Sequence, residues 1–312
     1  MKTFIQVAEI WTPSRDRSIL EFHAGLYGPH KAFRAASERM CFGYDEGLPG
    51  KAWAARHPII LKDLEHSYFR RGEAAHQAGL TCGVAMPIFA GDYLSAVLVF
   101  FCGDDADHVG AIELWHNDPA TETDMGLADG YFGHAESFEW ISQRTRFQPG
   151  FGLPGSVWQS GMPEVMADLG LAHRFVRRDD ARRVGINKGV GLPFTYAPGH
   201  NYVMTFLSAL GTPIARRFEV WTPNPERHAL VFHSGNCDRV PDLASAYAGS
   251  GIPPGAGPIG QAWLTALPVL AANLANDTSP IGAPARDAGL ETLVAIPVLE
   301  AGSLKAVVCL YF

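Results

Sequence analysis

Gly47-Leu48-Pro49-Gly50-Lys51-Ala52-Trp53 recurs as Gly152-Leu153-Pro154-Gly155-Ser156-Val157-Trp158 and again as Gly257-Pro258-Ile259-Gly260-Gln261-Ala262-Trp263. Trp53, Trp158 and Trp263 stand 105 positions apart, and so do Pro58, Pro163 and Pro268. A fixed period of this kind marks a repeated structural unit. Other anchors hold the register with slips of one or two residues: Trp11, Trp115 and Trp221 upstream, then Gly79, Gly185 and Gly289, then Pro87, Pro193 and Pro297. Three copies fill the 312 residues, with expected boundaries 1–105, 106–214 and 215–312.

Within each copy the apolar periodicity predicts the same order of elements. A first strand carries Glu-x-Trp (Glu9-Ile10-Trp11, Glu113-Leu114-Trp115, Glu219-Val220-Trp221), and a turn and a second strand follow, such as Ile19 to Ala24. A short helix comes next, Lys31 to Arg39 in the first copy and Glu136 to Arg144 in the second, with Phe33, Phe138 and Leu243 at its core position. The Gly-Leu-Pro-Gly turn opens a second helix, where glycine supplies unusual dihedrals and proline fixes φ near the helix start. After Arg56-His57-Pro58 the copy runs through a strand at Ile59 to Lys62 and an irregular stretch. It closes with two strands, Cys82 to Phe89 and Leu94 to Cys102. Short turns between successive strands predict an antiparallel sheet, so the fold class is α+β: three repeated domains, each a mainly antiparallel sheet flanked by short helices.

Composition narrows the function classes. The chain is 47% hydrophobic and 18% charged with a formal net charge of −7, and its mean hydropathy is +0.01; this is the balance of a folded, water-exposed protein. No basic cluster exceeds Arg177-Arg178 and Arg182-Arg183, which gives a phosphate backbone no electrostatic footprint, so no nucleic-acid partner is expected. Gln6 and Glu9 interrupt the N-terminal apolar run, and no stretch of about 18 apolar residues occurs. We therefore expect no membrane partner and a cytoplasmic location. Cys41, Cys82, Cys102, Cys237 and Cys309 form no CxxC pair, and neither structural disulfides nor a zinc or other metal site is expected.

Gly-Leu-Pro-Gly-x-x-Trp, a proline five residues on, Asp63-Leu64 and Asp168-Leu169, a later Gly-Leu and the closing (Val/Leu)-x-x-Pro strand pair resemble the GAF domain of bacterial signalling proteins. The resemblance covers the chain three times. It is closest in the first two copies; the third has Gly257-Pro258-Ile259-Gly260 and Asn273-Leu274 instead. It implies three GAF-like domains in tandem and a ligand pocket in each, walled by the segment between the Pro58-type and Gly79-type anchors. GAF domains usually join through long amphipathic helices. Here Gly103 to Val109 and Gly211-Thr212-Pro213 leave no length for one. Yet the closing strands stay apolar at successive positions, Ala96 to Phe101 and Ala306 to Leu310, as strands do when both faces are buried. Sister copies or another chain must cover the second face, and we expect the three sheets to cluster together, side by side or about a pseudo-threefold axis; a homo-oligomer is the other way to cover it.

Features shared by all three copies belong to the architecture, so Trp53, Trp158 and Trp263 are expected in the core, together with Glu9, Glu113 and Glu219. Candidate ligand-binding residues lie where the copies differ: Asp63, Tyr68, Phe69, Arg70 and His76 in the first, Asp168, His173, Arg174 and Phe175 in the second. In this reading Tyr68 and Phe69 stack on a planar ligand while Arg70, or Arg174, pairs with its anionic group. The plainer alternative is an ordinary helix with an aromatic core face and solvated arginines. His66, His76 and His173 have no partners at metal-ligand spacing. Asn187-Lys188 resembles the start of a cyclic-nucleotide signature, but the downstream Phe and Asp-Glu are missing, and no Cys-His pair is placed for bilin attachment. Some single GAF domains reduce free methionine sulfoxide with cysteines near the second helix and the following loop, where this chain has Lys51-Ala52 and Ala74-Ala75-His76. No catalytic constellation stands out elsewhere. The expectation is a regulatory protein that binds a small molecule of unnamed identity, with no cofactor specified, and signals to a partner protein. The alternatives are a structural or protein-interaction module with filled pockets and, more remotely, a redox enzyme.

Overall fold

The computed structural model describes residues 3–103, 109–170, 175–209 and 213–312. Unit one consists of β1 (Ile5–Pro13), β2 (Ile19–Leu26), α1 (Lys31–Ser37), β3 (Cys41–Gly43), α2 (Gly47–Ala55), β4 (Ile59–Leu61), α3 (Gly72–Gln77), β5 (Leu80–Ala90) and β6 (Tyr93–Gly103). Unit two repeats this as β7 (Gly110–Asn117), β8 (Met125–Tyr131), α4 (Glu136–Ser142), β9 (Arg146–Phe147), α5 (Gly152–Ser160), β10 (Glu164–Met166), α6 (Arg178–Arg183), β11 (Ile186–Phe194) and β12 (Asn201–Ala209). Unit three has β13 (Arg217–Pro223), β14 (Leu230–Cys237), α7 (Leu243–Ala246), α8 (Gly257–Thr265), β15 (Val269–Ala272), α9 (Gly282–Asp287), β16 (Thr292–Glu300) and β17 (Ser303–Tyr311). Each unit has its own antiparallel sheet, in the orders β3-β2-β1-β6-β5-β4, β10-β11-β12-β7-β8-β9 and β14-β13-β17-β16-β15. In unit three the counterpart of β3 has shrunk to a bridge between Leu230 and Ile252.

The recurrent glycines each meet a steric demand. Gly47, Gly152 and Gly257 have φ of +58°, +68° and +57°, a region that side chains with a Cβ rarely adopt. A Cβ on Gly50 would lie 2.1 Å from the Gly43 carbonyl oxygen, one on Gly155 2.1 Å from that of Gln148, and one on Gly260 2.3 Å from that of Pro253. The same contact carries a hydrogen bond, from the amides of Asp45, Gly150 and Gly255 to the carbonyls of Gly50, Gly155 and Gly260. The repeat motif therefore seats a helix directly on the preceding loop.

The helix tryptophans are less buried than their periodicity implies. Trp53, Trp158 and Trp263 are half-buried, whereas Trp11, Trp115 and Trp221 on the first strands are fully buried. On α2, Leu48 and Ala52 are one turn apart and face the sheet. The residue after Ala52 is rotated about 100° away from that face, and Trp53 packs edge-on against exposed Tyr44.

Each sheet lies between two layers. One face carries the unit's own helices; the other joins a core shared by all three units, containing Phe100, Phe206 and Leu310 at equivalent positions. Phe100 and Phe206 meet edge to face at 6.0 Å. The edges close a ring, with β4 against β8, β10 against β13 and β14, and β15 back against β2. Lys62 bridges to Asp129 at 2.8 Å across the first seam and Lys188 to Asp238 at 2.7 Å across the second. Sister units thus cover the second face of each sheet, which is why the closing strands are apolar at successive positions.

Replacing Gly155 by alanine forces the Gln148 carbonyl away from α5. We expect a loss of about 1–3 kcal/mol, measured as a lower urea midpoint with unchanged m-value.

Candidate ligand site

In a strand, residues i and i+2 share a face, so Glu9 and Trp11 both point inward under the helices, as do Glu113 and Trp115, and Glu219 and Trp221. The indole Nε1 donates to its neighbouring carboxylate at 3.0, 3.1 and 2.9 Å in units one to three. All three glutamates are fully buried, and a buried carboxylate demands a cation and a full set of donors. In unit one Arg71 provides the cation from the residue before α3, with Nη2 3.0 Å from Glu9 and Nη1 on both Glu9 and Ser37. In unit two Arg177 holds the equivalent position, bound to Glu113 and Ser142. Aromatic rings enclose each guanidinium: Trp11, Phe33, Phe69 and Phe101 around Arg71, and Trp115, Phe138, Phe147 and Phe175 around Arg177. Such faces attract a cation and exclude water.

Unit three reaches the same end by another route. Ile281 occupies the Arg71 position and is fully buried. The cation comes instead from Arg217, two residues before Glu219 on β13, where units one and two have Val7 and Ala111. Tyr247 and Tyr311 donate to Glu219 at 2.7 and 2.5 Å. Burial, and then the charge of Glu219, raises both hydroxyls above the ordinary tyrosine range, so both keep their protons. Tyr27 in unit one (2.9 Å) and Thr205 in unit two (2.9 Å) donate to the carboxylate from other positions of the repeat. In units one and two the space under the helices is occupied by the protein's own arginine and its aromatic cage, and in unit three by Arg217 with Tyr247 and Tyr311.

The nine candidate residues divide by orientation. Phe69 and Phe175 are buried in the arginine cages. Tyr68 is exposed beneath Lys51 Nζ at 5.0 Å, Arg70 bridges to Glu46 at 2.6 Å, and His76 lies 3.0 Å from Glu65, all on the surface. Asp63 accepts from the amides of Glu65 and His66, and Asp168 from that of Gly170, so both shape turns. Hydrogen bonds from the His66 and Glu65 amides hold the Asp63 carboxyl below its ordinary range. His173 and Arg174 lie outside the described residues. The inward arginines are one residue after Arg70 and three after Arg174. Their sequence signal is a position eight before Gly79 and Gly185, two after a buried phenylalanine. Among the cysteines, Cys41 is exposed, while Cys82, Cys102, Cys237 and Cys309 are buried.

An open cleft of about 860 Å³ lies at the seam between units three and one, lined by Ile5, Ala8, Leu26, His30, Glu291 and Phe312 among others. It includes none of the nine candidates. At the seam between units one and two, His57 stacks on Tyr202 at 4.4 Å, and His116 Nε2 lies 3.0 Å from His200 Nδ1. Burial, then the neighbouring His200, holds His116 below its ordinary pKa; burial does the same for His57. Among the described residues no group of three or more His, Cys, Asp or Glu is arranged to hold a metal ion, and no helix is long and apolar enough to cross a membrane.

With this geometry in view, residues 220–312 match the family described as the GAF domain, so the third unit is a GAF domain. The other two repeat its antiparallel sheet. Among solved structures, the A. aeolicus nlh2 GAF domain in an inactive state is similar at 19% identity and a TM-score of 0.26, over 32% of this chain and 59% of that one. A Staphylococcus aureus NreA protein mutated in its nitrate binding site is similar at 18% identity and a TM-score of 0.27, over 34% of this chain and 78% of that one. The free methionine-R-sulfoxide reductase of Neisseria meningitidis with its substrate follows at 13% identity and a TM-score of 0.25, over 31% and 52%. The chain thus spans about three-fifths of the length of the first of these. A search of curated proteins found no match.

Arg217→Ala strands Glu219 and should lose about 3–5 kcal/mol; adding Ile281→Arg, which recreates the unit-one arrangement, should recover part of that loss in chemical denaturation. Because folding depresses the pKa of His57 and His116, the unfolded chain binds more protons as pH falls through the ordinary histidine value of 6.5. Stability is therefore full above that value and declines below it, and Tm should fall less steeply below pH 6.5 in His57→Phe than in the parent.

Proposed function

We propose that this chain is a regulatory protein of the cytoplasm that binds a small molecule and passes its occupancy to a partner protein through the packing of its three units. The observation that carries this reading is the seam cleft. Its volume of about 860 Å³ falls within the range of roughly 300–1,000 Å³ of small-molecule sites, and its walls belong to two units, so a ligand there touches the contact on which their relative packing depends. Binding that favours one packing of the seam shifts the population of the whole ring, and a partner reads the shift at the surface. The role is regulatory rather than catalytic.

A second reading is favoured by a separate observation. Arg71, Arg177 and Arg217 fill the space under the helices of their own units, as expected of a structural or protein-interaction module whose intradomain pockets have closed. Native mass spectrometry and a thermal-shift screen against metabolite mixtures separate the two. A co-purified small molecule, or a Tm that rises with ligand concentration, is the outcome expected of a sensor; a chain that carries no molecule and that no metabolite stabilises is an interaction module.

A further inference from the structure

The seam cleft traces to two positions in the repeat. Six residues before Pro87, Pro193 and Pro297 stand Thr81, Asn187 and Glu291. On the second strand of each unit, the residue just past the glycine opposite the buried glutamate is Leu26, Tyr131 or Asn236, paired across β1, β7 or β13 with Ala8, Ile112 or Phe218. Closure of the ring directs the first kind of residue toward the second kind on the next unit. Between units one and two, Thr81 Oγ1 lies 3.3 Å from the Tyr131 hydroxyl. The Tyr131 ring fills the seam and packs on Phe4 at 5.6 Å. Between units two and three the positions hold Asn187 and Asn236, both with buried side-chain oxygens. Between units three and one they hold Glu291 and Leu26, and both line the open cleft. A carboxylate replaces the threonine hydroxyl, and a shorter aliphatic side chain replaces the tyrosine.

We propose that the cleft binds a small aromatic molecule carrying a protonated amine, its ring taking the place at this seam that Tyr131 takes at the sister seam and its ammonium meeting Glu291. This rests on the reading that the chain binds a small molecule here. The apolar wall of Ile5, Ala8, Leu26 and Phe312 suits a ring, and Glu291 is the one formally charged residue among the described lining. Burial holds the His30 imidazole, also on the wall, below its ordinary pKa, so it adds no positive charge near neutral pH. With Glu291 the formally charged side chain of the described lining, the site favours an ammonium, through a charge-assisted hydrogen bond, and disfavours an anion of the same shape.

Isothermal titration of the full chain with tyramine, and with 4-hydroxyphenylacetate as the anionic counterpart, tests this. Tyramine should bind and 4-hydroxyphenylacetate should not. Glu291→Gln, at an exposed position, should weaken tyramine about tenfold or more. Leu26→Tyr should abolish binding and raise Tm by filling the cleft, and Ala78→Trp, at the cleft wall, is the second blocking variant if Leu26→Tyr fails to fold. Absence of tyramine binding, equal affinity in Glu291→Gln, or binding of the carboxylate as well would overturn the assignment of ligand class. If a different molecule found by native mass spectrometry is lost from the blocked variants, the ligand class fails and the cleft stands. If the blocked variants keep that molecule, the cleft reading fails with it.

Discussion

A carboxylate sealed inside each unit sets the terms for the residues around it. Glu9, Glu113 and Glu219 sit on the first strand of their units, out of reach of water, and an unpaired charge there would cost several kcal/mol. Every unit therefore needs a guanidinium at the same point, but not from the same place in the chain. Units one and two deliver it from the residue before the last helix, and unit three delivers it from the strand itself, with Ile281 filling the position that arginine left. The exchange of Val7 and Arg71, or Ala111 and Arg177, for Arg217 and Ile281 keeps the charge while the connectivity changes. Such compensation inside one molecule indicates that the constraint is electrostatic rather than a matter of local sequence.

That pair also explains why the pocket expected of a GAF domain is not open beneath the helices. The arginine, its aromatic cage and the indole of the Glu-x-Trp motif occupy the space between sheet and helices. The aromatic residues the sequence placed near a ligand, Phe69 and Phe175, face the protein's own cation. Polar neighbours such as Tyr68, Arg70 and His76 turn outward, where their contacts are exposed and individually weak.

With each interior filled, differences among the units are expressed at their seams. The ring uses one edge contact three times, as a closed cyclic assembly does, yet the units are not identical, and each seam carries its own side chains. One seam holds a tyrosine and a cluster of histidines, the second a lysine buried against Asp238, and the third a cleft. Asymmetry of this kind is available to a single chain of three repeats and not to three copies of one subunit.

Much of the architecture was legible in the sequence. The interval of 105 residues, the glycine-proline turns and the apolar closing strands pointed to three antiparallel sheet-and-helix units packed on one another, because turn geometry and strand periodicity are local properties. The orientation of individual side chains was not legible. Arg70 and Arg71 are neighbours of one residue type, and only the path of the chain into α3 turns one outward and the other into the core. Trp53 shares its period with Leu48 but lies off the helix face that meets the sheet. Ring closure pairs residues far apart in sequence, so the cleft of Leu26 and Glu291 exists only once the third unit returns to the first. Sequence by itself determined the repeat and its fold; the tertiary structure decided which charges are buried and where space remains, because both depend on contacts between segments that no local pattern encodes.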